Sequence, residues 1–169
     1  HIVLNFENGF HFAFECKRKF GWWDLIDSIA AYKKDRKLSD DARDLSLADF
    51  KTSLSNRKTF IKAVLMDQSV AAGIGNWMAD EILYQSRIHP EIKVQDLSEK
   101  DIELIFKSMK KVIEVAIEND AHYDDFPEDF LIHFRKEGAK CFHTGAEIQK
   151  IKVGGRSTYF SPEWQKVVE

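Results

Sequence analysis

Residues 66–84 read Met66-Asp67-Gln68-Ser69-Val70-Ala71-Ala72-Gly73-Ile74-Gly75-Asn76-Trp77-Met78-Ala79-Asp80-Glu81-Ile82-Leu83-Tyr84. The spacing predicts a helix, a sharp turn carrying Gly73 and Gly75, and a second helix opening at Asn76. Asn is a strong N-cap, and glycine lets the backbone turn tightly and approach a ligand closely. The first amides of the second helix would then face outward at the positive end of a helix dipole. That is an anion site, and for a helix-turn-helix pair the expected anion is a nucleic-acid phosphate.

On either side of this turn the apolar pattern is helical. Ile61, Val64, Leu65 and Val70 mark the first helix. Trp77, Ile82 and Leu83 mark the second, which must stop before Pro90. Further along, Ser98 caps a long amphipathic helix whose stripe is Ile102, Ile105, Phe106, Met109, Val112, Ile113, Ala116 and Ile117. Lys107, Lys110 and Lys111 fall off that stripe and read as solvated. Upstream, Ser46 caps a short helix to Leu54 with Leu47, Phe50 and Leu54 on one side, and Lys33–Arg43 reads as a charged connector. A last short helix is expected over Pro127–Arg135.

The two ends of the chain have β character. Glu7-Asn8-Gly9 between Ile2–Phe6 and Phe10–Phe14 is a strong hairpin signal. A hairpin alone is marginal in water, so a remnant of a larger sheet is expected. Lys17-Arg18-Lys19-Phe20-Gly21-Trp22-Trp23 follows. Its cations either stay in water while the rings fill a core, or meet phosphates and bases with one ring as a wedge. At the other end, Gly145–Val153 alternates, Gly154-Gly155 turns, and Arg156–Phe160 returns, which sets Arg156 at a hairpin tip.

Composition narrows the class. The 169 residues are 44% hydrophobic and 31% charged, which fits a packed globular chain. The net charge of −3 excludes a wholesale nucleic-acid coat and leaves room for a local basic patch. No apolar run approaches the ~18–20 residues of a membrane helix. No secretory signal or membrane partner is expected, and the two cysteines, Cys16 and Cys141, fit a reducing cytoplasm.

Three stretches together carry a resemblance. Lys58-Thr59-Phe60-Ile61-Lys62, Leu65-Met66-Asp67-Gln68, Gly73-Ile74-Gly75-Asn76, Ala79-Asp80-Glu81-Ile82-Leu83 and Ile88-His89-Pro90 resemble the helix–two-turn–helix of formamidopyrimidine-DNA glycosylases and endonuclease VIII. Val153–Phe160 is similar to that family's C-terminal finger hairpin, and Arg18-Lys19-Phe20-Gly21 to the segment closing its N-terminal β-sandwich. The fold implied is α+β, mainly α. Residues 1–32 would be a remnant of the catalytic β-sandwich, 33–137 a helical helix–two-turn–helix DNA-binding domain, and 138–169 the finger hairpin.

The function implied is the DNA-binding part of a base-excision-repair glycosylase and abasic-site lyase acting on oxidised bases. Its partner would be damaged double-stranded DNA, held by a monomer that is cytoplasmic, or nucleoid-associated in a bacterium. By resemblance, Asn76 and the Gly73–Gly75 turn hold a phosphate near the lesion, and Arg156 grips the flanking phosphates. Lys62 lies near the active-site mouth, and Arg18 and Phe20 fill the gap left by the extruded base. Flipping costs a few kcal/mol of unstacking, which such clamps and wedges offset.

The sequence departs from the family in ways that carry expectations of their own. The family's nucleophile is an N-terminal proline followed by glutamate. The prolines here are Pro90, Pro127 and Pro162, so no catalytic residue is assigned and the chain by itself is expected to be inactive. The family's four zinc cysteines correspond to Cys141, Thr144, Ser161 and Trp164, so no zinc or other cofactor is expected. The hairpin would instead rest on Phe142, Ile148, Ile151, Tyr159, Phe160 and Trp164, a zincless finger. Phe134 replaces a phosphate-binding tyrosine and 121–134 is short, so a preference for oxidised pyrimidines is expected at least as much as one for 8-oxoguanine. Two other readings remain: a non-enzymatic nucleic-acid module sharing the helix–two-turn–helix, and a helical protein-interaction domain.

Overall fold

The computed structural model describes residues 2–17 and 21–166. The chain divides into two compact units, His1–Tyr32 and Lys33–Glu169.

In the first unit, β1 (Ile2–Asn5) pairs antiparallel with β2 (His11–Phe14), Ile2 opposite Phe14 and Leu4 opposite Phe12. Gly9 takes φ +83 at the turn, the left-handed conformation that glycine adopts without cost. Trp23 lies against Phe12 and Phe14 at ring separations of 5.7 and 5.9 Å. The cover is incomplete, since Ile2, Leu4 and Phe12 keep 40%, 40% and 49% of their surface. Gly21 packs closely here: a Cβ would stand 2.6 Å from the tip of the Phe14 ring, which would have to shift to admit it.

A short helix, α1 (Ile29–Asp35), runs through what reads in the sequence as connector. It buries none of its residues, so no apolar stripe announces it. Next comes α2 (Leu47–Leu54), capped by Ser46, whose Oγ accepts the Asp49 amide. It lays Phe50 and Leu54 into the core.

The first helix of the glycine motif, α3, is only Ile61–Leu65. Val70, expected on its stripe, lies beyond it in a turn, because the amides of Asp67 and Val70 bond back to Val64 and Asp67. The second helix, α4 (Asn76–Ser86), ends where Arg87 turns left-handed at φ +60 and its amide meets the Leu83 and Tyr84 carbonyls. Then α5 (Glu99–Glu118) opens on a capping box, with Ser98 and Asp101 satisfying each other's amides. Ile105, Met109, Val112 and Ile113 are buried as the pattern predicts, but Ile117 at the end of the stripe is 55% exposed. Lys110, expected in solvent, donates to the carbonyls of Ala42 and Arg43 at 3.0 and 2.6 Å.

Instead of the helix expected over 127–135 there is a 3-10 turn, Leu131–Phe134. Its amides explain the substitution: those of Leu131 and Ile132 leave the backbone ladder and donate to the Glu81 carboxylate, each at 3.0 Å. The chain ends in a hairpin, β3 (Gln149–Val153) with β4 (Arg156–Phe160), Val153 opposite Arg156. β3 starts later than expected because 141–146 forms its own turn, with the Gly145 amide on the Cys141 carbonyl and that of Cys141 on Ala146. Phe142, expected among the packing residues, is exposed. Each buried Ile or Leu of the central core removes roughly 1.5–3 kcal/mol of apolar surface from water, and that core joins α2, α3, α4 and α5.

Burial raises the Glu81 carboxyl to about 7, against hydrogen bonds from Gln85, Leu131 and Ile132 that pull it down. A carboxyl whose folded value lies above its unfolded one binds protons more tightly when folded. Its contribution is therefore full below about pH 4.5 and declines as pH rises through about 7. Between those values the wild type should lose on the order of 3 kcal/mol relative to Glu81→Gln. Urea unfolding of both proteins across that range measures the difference.

Candidate nucleic-acid interface

The glycine turn is built by its neighbours' side chains. Gly73 has φ +96, a conformation that strains any residue with a Cβ. Its amide donates to Gln68 Oε1 at 2.9 Å, and Gln68 Nε2 donates to the carbonyls of Met66 and Ile74, both at 3.2 Å. One side chain thus ties both ends of the turn together. From outside, Ser39 Oγ accepts the Ala72 amide at 2.8 Å, and the Ala42 amide reaches the Ala72 carbonyl. The connector is a strap on the turn and not merely a solvated surface. Asp67 accepts from Ser69 and from Arg57 Nη1 at 2.8 Å. Burial pushes its carboxyl up, but these bonds outweigh it and the net shift is down.

Asn76 is not the cap that its residue type predicts. Gly75 is extended, with φ −99 and ψ −179, and its carbonyl accepts the Ala79 amide, so Gly75 is the N-cap and Asn76 the first helical residue. The Asn76 side chain is freed for a longer reach: Nδ2 donates to the Ser157 carbonyl in β4 at 2.9 Å. Its Oδ1 is buried and has no hydrogen-bond partner among the described residues. The amides of Asn76, Trp77 and Met78 lie ahead of the first intrahelical bond, at the positive end of α4.

Arg156 opens β4 and is exposed. The hairpin turn fits tightly against α3: Gly154 has φ +56, and a Cβ there would lie 3.3 Å from that of Ala63. Between turn and hairpin lies a cleft of about 520 Å³, lined by Ala63, Met66, Gln68, Gly75, Asn76 and Arg156. The structure therefore brings together Gly75, Asn76 and Arg156, residues far apart in the chain. Gly73 shapes the turn beside them.

Lys62 is placed otherwise than expected. Its side chain is fully buried, ion-paired to Asp80, and donates to the Asn76 carbonyl at 3.2 Å. Burial drives its ammonium below its ordinary value against the upward pull of Asp80, and Arg135 adds to the fall. Lys62 is thus a strut beneath the turn and presents no charge at the surface. The second oxygen of Asp80 accepts both Arg135 Nε and Nη2, at 2.9 and 2.7 Å. Arg18 and Phe20 lie outside the described residues. The sequence alone does not single out Gln68, Asp80 or Arg135, because a polar side chain looks solvated until its partners are known.

At the base of the finger, Tyr84 Oη meets Cys141 Sγ at 3.2 Å, and Trp164 Nε1 donates to the Tyr84 carbonyl at 3.0 Å. His143 stacks on Trp164 at 3.9 Å, and the Arg87 guanidinium lies 3.8 Å from that ring. Among the described residues no group of three or more His, Cys, Asp or Glu side chains could hold a metal ion.

Gln68→Ala removes three bonds from the turn and should cost about 1–3 kcal/mol. The loss should appear as faster hydrogen exchange confined to 66–76, with α5 still protected.

The Formamidopyrimidine-DNA glycosylase H2TH domain family matches residues 39–126. A formamidopyrimidine-DNA glycosylase of Arabidopsis thaliana is 38% identical over 98% of the chain and 43% of its own length. One from Listeria innocua is 33% identical over 98% of the chain and 66% of its own length. The chain therefore spans less than two thirds of the length of either relative. A solved structure of MutM in complex with DNA containing carbocyclic 8-oxo-G superposes with a TM-score of 0.84 at 32% identity, over 98% of this chain and 64% of that one. The Lactococcus lactis Fpg bound to abasic-site DNA gives 0.79 at 33% identity, over 89% and 60%. With its glycine turn, its α4 and its finger hairpin in this arrangement, the chain belongs to the formamidopyrimidine-DNA glycosylase H2TH family.

Proposed function

We propose that this chain is the DNA-gripping part of a base-excision-repair glycosylase and abasic-site lyase acting on oxidised bases. The observation that carries the reading is the single cleft lined both by Gly75 and Asn76, where α4 begins, and by Arg156. Helix amides and a guanidinium are complementary to a phosphate, whose oxygens only accept. Likeness to proteins solved with 8-oxo-G and abasic-site DNA supports a damaged duplex as the ligand. Gripping the strand on both sides of a lesion supplies binding energy to offset the unstacking that base flipping requires.

The chemistry itself is assigned to residues outside these 169, since the relatives extend well beyond the matched region. The apolar surface left on β1 and β2 is the expected seam to such a part. The hairpin rests on aromatic packing with no zinc, and the chain acts as an intracellular monomer on the duplex. No helix among the described residues is long and apolar enough to cross a membrane. Phe134 lacks a hydroxyl for a phosphate, which keeps oxidised pyrimidines open as substrates beside oxidised purines.

Binding to an abasic-site duplex should weaken steeply with salt. Arg156→Ala should raise Kd about tenfold and reduce the log–log salt slope by about 1. Asn76→Ala should weaken binding by a similar factor with a smaller change in slope. Fluorescence anisotropy at several salt concentrations gives both quantities, and binding indifferent to either substitution would sink the reading.

A further inference from the structure

Beneath the cleft, Asp80 faces cations from two separate parts of the chain. Lys62 comes from α3, and Arg135 from the segment leading into the finger. The side chains of Lys62 and Asp80 are inaccessible to water, and that of Arg135 is 19% exposed. Each cation makes a second contact, and the two contacts lie on opposite jaws of the cleft. Lys62 Nζ donates to the Asn76 carbonyl in the first turn of α4. The Arg135 guanidinium lies 4.7 Å from the centre of the Tyr159 ring, in the strand that Arg156 opens.

We propose that Asp80 and Arg135 are positioning residues that couple the two phosphate-binding jaws, so that the α4 amides and Arg156 are held at one spacing. This rests on the clamp reading above. The physical ground is the cost of burying charge. One carboxylate fully desolvated between two cations has few alternative placements, because moving either cation leaves a charge without water or partner. Arg135 adds direction, since its Nε and Nη2 both converge on one Asp80 oxygen and orient the guanidinium that lies over Tyr159. The link runs parallel to the direct bond from Asn76 Nδ2 to the Ser157 carbonyl. The jaws are thus joined twice, once directly and once through Asp80.

Asp80→Asn would leave Lys62 and Arg135 facing each other without a counter-charge, and such a variant can simply fail to fold. The test therefore uses Arg135→Met, which keeps the side-chain stem over Tyr159 and leaves the Lys62–Asp80 pair intact. Affinity of the 169-residue chain for an abasic-site duplex is measured for the wild type, Arg135→Met, Arg135→Lys, Arg156→Ala and the Arg135→Met/Arg156→Ala double variant. Circular dichroism confirms that each is folded. Coupling predicts that Arg135→Met weakens binding about tenfold and that lysine does not rescue it. It also predicts that the substitution adds less than about twofold once Arg156 is gone. Three results overturn the coupling: fold-changes that multiply in the double variant, full rescue by lysine, or a salt slope that falls by about 1 on adding Arg135→Met to Arg156→Ala. The last would make Arg135 a direct phosphate contact. If Arg156→Ala binds like the wild type, the clamp itself is wrong and the coupling falls with it.

Discussion

The arrangement depends on a carboxylate kept from water. Asp80 sits near the start of α4 with Lys62 on one oxygen and Arg135 on the other. Breaking such a pair costs about 3–5 kcal/mol, because a buried charge is left without compensation. Its neighbour Glu81 points another way round the helix and takes the Leu131 and Ile132 amides. Two consecutive acidic residues of α4 therefore hold the segment from Leu131 to Arg135, which delivers the chain into the finger.

The same helix also fixes the far end of the finger. Trp164 and Gln165 donate to the carbonyls of Tyr84 and Ile88, and the Lys166 amide reaches that of Arg87. With Asn76 bonded to Ser157, the hairpin and its tail are tied to both ends of α4. A stack of Arg87, Trp164 and His143, together with the Tyr84–Cys141 contact, packs the tail of the finger against α4. Burial pushes the Cys141 thiol up, but the neighbouring Ser161, Thr144 and Tyr84 hydroxyls outweigh it and the net shift is down.

Much of this was legible in the sequence, and for physical reasons. Period-3.6 stripes located α2 and α5, the caps at Ser46 and Ser98 fixed their starts, and Asn-Gly and Gly-Gly marked both hairpins. Periodicity failed where tertiary hydrogen bonds overrode local preference. Glu81 drew two amides out of the helix expected near 127–135, and Val70 fell into a turn stapled by its neighbours. Asn76 has the residue type of a cap, but Gly75 caps the helix and the Asn76 side chain spans to Ser157. The resemblance puts Lys62 near the active-site mouth, but sequence reports charge and not burial, and the side chain is inaccessible to water. Its partner lies eighteen residues on in α4, and the strap of Ser39 and the Asp80–Arg135 link are more distant still, beyond the reach of any local pattern.

The cleft is held in shape by buried charge and side-chain staples. In the proposed clamp a duplex phosphate enters between the start of α4 and Arg156. A ¹⁵N-resolved NMR titration of the chain with an abasic-site duplex reads this out residue by residue. The largest shifts are expected at the amides of Asn76, Trp77 and Met78 and at the Arg156 side-chain Nε. Shifts confined to the outer face of α5, with those four signals unmoved, would contradict it.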